Sequence, residues 1–186
     1  MEKYNVEKIK KDMEKTKNDM QDREKEFFVK LQNYLDTKMY YYGSIQRYDY
    51  IPCSSDIDVA IFTDNTESTL LKMQNFLNKK RSEFKKFVFR LSLSNKIAYG
   101  YKIKYVDPKN LFTAEIAIYS ENLKNEVLVE QYAKCDIPFY IAFFLYILKI
   151  LYYKLHVLPF QTFLNCKRFF LNYLLVGEDT EYIVIH

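Results

Sequence analysis

The chain has 186 residues, 49% of them hydrophobic, with a formal net charge of +4. That is enough apolar material for a sizeable core; it excludes general disorder and fits one domain, or a catalytic domain with a helical extension. Three cysteines (Cys53, Cys135, Cys166), without a CxxC pair or a neighbouring histidine, exclude a cysteine-based metal motif and predict a reduced, cytoplasmic protein. The charged stretch from Glu2 onward does not read as a secretory leader.

Residues 2–37 read as one long polar helix, because Val6, Met13, Met20, Phe27 and Tyr34 recur every seven residues. Thr16, Arg23 and Lys30 fill the second seam position, which argues against a coiled coil. Apolar density rises at Phe27, Phe28, Leu31 and Leu35, so that end is expected to pack on the domain while the earlier turns project or cap it. Two strands follow, one in Met39-Tyr40-Tyr41-Tyr42 and one in the apolar run that ends at Phe62. A helix is predicted over 66–80, strands over 84–93, 97–106 and 111–119, and helices over 121–134, 138–156 and 160–175. These elements predict an α+β fold, divided into an N-terminal helix (1–37), a core (38–120) and a helical C-terminal extension (121–186).

The chemistry concentrates around the first two strands. One of only three glycines, Gly43, is spent directly after the tyrosine run, followed by Ser44. Glycine permits a positive φ or a close backbone approach. After a gap of eleven residues, Asp56-Ile57-Asp58 opens the second strand. Alternate side chains on a strand share a face, so Asp56 and Asp58 lie together while Ile57 and Val59 point into the core. Two carboxylates on one sheet edge repel each other unless a cation lies between them, which makes the pair a candidate metal site. A third carboxylate, Glu115, is the sole charge in the strand-like run from Phe112 to Tyr119. By itself it faces solvent, pairs with a base or joins a metal site. Its rival Asp107 lies in Val106-Asp107-Pro108-Lys109-Asn110, which reads as a turn.

The Gly43-Ser44 turn, the spacing to Asp56-Ile57-Asp58 and a later carboxylate on a strand together resemble the polymerase-beta-like nucleotidyltransferase superfamily, over roughly residues 39 to 64. The resemblance implies a mixed-sheet nucleotidyltransferase core flanked by helices. It further implies transfer of a nucleoside monophosphate from an NTP to an acceptor hydroxyl, with two Mg²⁺ or Mn²⁺ ions held by Asp56, Asp58 and Glu115. Gly43, Ser44 and Arg47 would then serve the triphosphate, and Glu115 would accept the hydroxyl proton. For Arg47 a structural salt bridge is an equal alternative.

Charge distribution bears on the acceptor. Residues 72–104 carry ten Lys or Arg against Glu83 alone, leaving 18 basic and 23 acidic residues elsewhere. Such a segment attracts polyanions, and the interleaved Phe84, Phe87, Phe89, Tyr99, Tyr101 and Tyr105 offer stacking faces, which favours an RNA or DNA 3′ end. The same alternation also describes a half-buried strand with solvated lysines. Residues 137–166 carry only Lys149 and Lys154 as charges, but their uninterrupted apolar part is twelve residues, too short to span a bilayer. A buried helix, or a surface for a partner or a second copy, is expected there. His156, among apolar neighbours, reads as a core histidine. A second reading keeps the fold as a nucleotide-binding or interaction module, membrane-associated through that apolar segment, with little turnover.

Overall fold

The computed structural model describes residues 4–109, 111–173 and 182–185. Helices α1 (Val6–Met13) and α2 (Asp22–Leu35) precede strand β1 (Met39–Tyr42), a 3₁₀ turn at Gly43–Gln46 and strand β2 (Ile57–Thr63). Helix α3 (Thr66–Leu77) leads to strands β3 (Lys85–Arg90), β4 (Ile97–Val106) and β5 (Thr113–Ser120). Helices α4 (Lys124–Cys135), α5 (Phe139–Tyr153) and α6 (Phe160–Arg168) follow, and strand β6 (Tyr182–Ile185) closes the described chain. The strands form one mixed sheet in the order β1-β2-β5-β4-β3-β6, with β2 and β5 parallel and every other pair antiparallel.

Both sheet faces are covered, and strand alternation sorts the residues between two cores. Ile57, Val59 and Ile61 of β2 and Ile116 and Ile118 of β5 meet Phe28 and Leu31 of α2 and Leu70 and Met73 of α3. On the opposite face, Ala60, Phe62, Ala117 and Tyr119 meet Ile9 and Met13 of α1 and Val127 and Leu128 of α4. The parity that sends Ile57 and Val59 into the first core puts Asp58 and Glu115 at the open end of the second.

The N-terminal segment departs from the predicted single helix. Helix α1 stops at Met13, and residues 15–18 are bonded to the Gly-Ser turn instead. Asn18 Nδ2 donates to the carbonyls of Ile45 (2.9 Å) and Arg47 (2.7 Å), and Gln46 Nε2 donates to Lys15 O (2.6 Å). A capping box between Gln21 and Glu24 then starts α2 afresh. The break lets the chain cross the sheet edge, so Ile9 and Met13 are buried on one face while Phe28 and Leu31 are buried on the other. The early turns therefore belong to the core rather than projecting from it.

The remaining elements depart from the predictions in smaller ways. Helix α3 ends three residues early because Asn78 takes a left-handed cap (φ 51°). Helix α6 is shorter than predicted and continues into a π turn at Phe169–Tyr173, while residues 174 and 175 of that prediction lie outside the described residues. Strand β6 was not predicted, although Tyr182-Ile183-Val184-Ile185 has strand-forming composition. His156 is exposed, with φ at 53° and Nδ1 3.2 Å from Lys154 O, so it is a turn residue and not a core histidine.

Helix α5 buries Ile141, Ala142, Leu145 and Leu148 but leaves Phe139, Tyr140, Phe143 and Phe144 exposed. Among the described residues no single helix is long and apolar enough to cross a membrane; the segments Glu121–Cys135 and Phe139–Tyr153 meet at a 79° bend.

Candidate active site

The turn after β1 creates the floor of the site. Gly43 has φ at 70°, and a methyl group on its Cα would run into the Asp58 carboxylate. Both the left-handed conformation and the close approach require glycine here. Ser44 follows, buried at the cleft wall.

Strand pairing assembles the carboxylates. Tyr42 lies opposite Asp58, Asp58 opposite Glu115, and Glu115 opposite Lys104, forming a row across β1, β2, β5 and β4. Asp56 precedes β2 by one residue. Burial, then the charge of Glu115, push the Asp58 carboxyl up to about 7. The two lysines of β4 on the same face neutralise part of this charge: Lys102 Nζ lies 3.3 Å from Glu115 Oε1 and Lys104 Nζ 3.0 Å from Asp56 Oδ2. Asp107 is elsewhere, buried against Arg23 of α2 at 2.8 Å and closing a turn through Lys109 N.

Arg47 is committed inside the protein. Its Nε and Nη2 bind Asp49 in a two-point pair at 2.7 and 3.0 Å, with both side chains buried. Lys149 of α5 completes the group, reaching Asp49 O at 2.8 Å, Asp49 Oδ2 at 3.0 Å and Ser55 Oγ at 3.1 Å. Burial opposes ionisation of Asp49, yet the flanking cations hold its carboxyl below the ordinary range. Burial pulls the Lys149 ammonium down to about 8, with Asp49 opposing the shift. This network ties α5 to the loop between the Gly-Ser turn and β2. Sequence reading noted Lys149 only as a charge in an apolar run; such an isolated charge is the signal for a buried partner.

A cleft of about 230 Å³ opens over these groups. Gly43, Ser44, Asp56 and Asp58 line it together with Lys134 of α4, Lys149 of α5 and Lys167 of α6. Glu115 lines an adjoining recess of about 160 Å³ that shares Tyr42, Gln131 and Lys134 with it. Gln131, Lys134 and Lys167 carried no sequence signal, because only helix packing brings them here. Several cations of the 72–104 segment are locally matched: Arg81 with Glu67, Lys79 with Glu83, and Lys96 with Glu126. Phe84, Phe87 and Phe89 are buried in the core, leaving Tyr99 as an exposed ring of that segment.

The donor chemistry suits a hard divalent cation, since three carboxylates supply oxygens and no sulfur is involved. Among the described residues, no three carboxylate, histidine or cysteine groups stand close enough to hold an ion as they are. Lysine ammonium groups stand on two of the three carboxylates, where an ion would take its oxygens.

A parallel strand pair bearing facing carboxylates lies beside a Gly-Ser turn in an α+β domain, with a lysine-lined cleft above it. Residues 22–134, more than half of the chain, match the nucleotidyltransferase domain family, and the chain belongs to it. No curated protein matches the chain. Among solved structures, the GLD-2/RNP-8 complex is similar at 15% identity and a TM-score of 0.33, over 92% of this chain and 69% of that one.

Proposed function

We propose that this protein transfers a nucleoside monophosphate from an NTP to an acceptor hydroxyl and releases pyrophosphate. The observation that carries the reading is the register of Asp58 and Glu115 on parallel strands directly behind the Gly43-Ser44 turn. Asp56, Asp58 and Glu115 would hold magnesium-class ions, and such ions would supply charge stabilisation for an in-line displacement at the α-phosphorus. Gly43 leaves room for the β and γ phosphates to approach the backbone, and Ser44 donates to them from its amide and hydroxyl. Lys134 and Lys167 hold the polyanion, while Lys149, bound to Asp49 and Ser55, positions the loop beneath it. Arg47 acts through the buried Asp49 network and adds positive potential at the cleft. Glu115 takes the acceptor proton as the new O–P bond forms and the bond to pyrophosphate breaks. The acceptor is an RNA or DNA 3′ end, drawn by exposed cations such as Lys72, Lys85, Lys86 and Arg90.

A second reading, a nucleotide-binding module that works through a partner or a second copy, is favoured by the exposed aromatic face of α5, where Phe139 is 69% exposed. The test is metal-dependent incorporation from each labelled NTP with an RNA primer, a DNA primer and no primer, comparing wild type with Asp58→Ala. Primer extension lost in the variant supports the transferase reading. NTP binding by calorimetry without incorporation favours the module, and identical behaviour of both proteins in both assays removes Asp58 from the site.

A further inference from the structure

We propose that Lys102 and Lys104 are resident counter-cations of the carboxylate centre, which a divalent ion must displace, so that they set the threshold for metal occupancy. The proposal rests on the reading of Asp56, Asp58 and Glu115 as metal ligands. Lys102 and Lys104 alternate with the core residue Ile103, so both project on the carboxylate face of the sheet. Lys104 stands opposite Glu115 in register, yet its ammonium reaches beyond β5 to Asp56 Oδ2 at 3.0 Å. Lys102 reaches Glu115 Oε1 at 3.3 Å. Two of the three carboxylates are thus paired with ammonium groups drawn from a strand that itself contains no acid.

The two kinds of cation exclude each other at these oxygens. A magnesium-class ion binds carboxylate oxygen at about 2.1 Å. An ammonium held at hydrogen-bonding distance from the same oxygen would then face an unscreened like charge. Metal entry therefore breaks the Lys104–Asp56 and Lys102–Glu115 pairs. The lysines hold the metal-free sheet together, where three carboxylates would otherwise repel, and they lower the affinity of the site for the ion. Nucleotide phosphates, arriving with the metal, give the displaced ammonium groups new partners on the same face. Occupancy is in this way coupled to the substrate, and the free ion alone binds weakly.

The experiment is Mn²⁺ binding, followed by the electron-spin resonance of free Mn²⁺ without nucleotide, in wild type, Lys104→Met, Lys104→Arg, Lys102→Met and Asp58→Asn. Each Lys→Met protein should bind Mn²⁺ about threefold to tenfold more tightly than wild type at low salt, since a partly exposed pair no longer has to be broken. The gain should shrink as ionic strength rises from about 0.01 M to about 0.5 M. Lys104→Arg should bind as wild type does. In chelator the Lys→Met proteins should melt lower than wild type, and Mn²⁺ should raise their melting temperatures by more. A purely structural role would lower the melting temperature without tightening the metal. Wild-type binding that depends on Asp58, together with Lys→Met affinities equal to or weaker than wild type in folded protein, overturns the exchange and leaves the metal site standing. Absence of Asp58-dependent Mn²⁺ binding in wild type overturns the metal-site reading and the exchange with it.

Discussion

Asp58→Asn should stabilise the metal-free protein at pH 8 and leave it nearly unchanged near pH 4. The Asp58 carboxyl is raised from 3.8 to about 7 by burial and by Glu115 beside it. The folded state therefore keeps a proton that the unfolded chain gives up between pH about 4 and about 7. In that window the native state binds more protons, so stability falls as pH rises and levels off above about 7. A rise of about three units corresponds to about 4 kcal/mol at about 1.4 kcal/mol per unit. Partial solvent access and the nearby lysines reduce this, so asparagine should gain about 1–3 kcal/mol at pH 8. Urea denaturation in chelator at pH 4, 5, 6, 7 and 8 measures the difference directly. Adding Mg²⁺ at pH 8 should return the lost stability to wild type and give little to the variant. Parallel pH profiles for the two proteins, or a variant weaker than wild type at pH 8, would refute the account of Asp58 as a half-buried, charge-crowded carboxylate.

Gly43→Ala should cost about 1–3 kcal/mol, from the positive φ and the collision with Asp58, and should also weaken NTP binding; chemical denaturation and calorimetry read the two effects, and wild-type values in both would show that the turn tolerates a side chain. Asp49→Asn should cost about 3–5 kcal/mol because it leaves Arg47 and Lys149 buried without a counter-charge. Lys149→Met, which keeps the Arg47–Asp49 pair, should cost clearly less, and the reverse order in denaturant titrations would sink the view of Asp49 as the hub.

The residues alone placed most elements, since strand β4 runs over the predicted 97–106 and α3, β5, α4 and α5 fall within a few positions of their predictions. Near-neighbour propensity and apolar periodicity act over a few residues and can be read from them. The carboxylates, the glycine turn and the family were legible for the same reason, being short patterns of chemically unusual residues in strand-like flanks. What tertiary structure decided lies in contacts between distant parts of the chain. The N-terminal heptad pattern promised one helix, but Asn18 and Gln46, 28 positions apart in number, exchange that helix for hydrogen bonds around the Gly-Ser turn. The basic segment promised a field for polyanions, yet Lys102 and Lys104 are turned onto the carboxylates once β4 pairs with β5. Lys149 reads as a blemish in an apolar helix until Asp49, a hundred residues earlier, is folded against it. Local composition fixes which side chains are available, whereas desolvation and ion pairing depend on which of them are brought within a few ångströms, and that is settled only when the sheet closes.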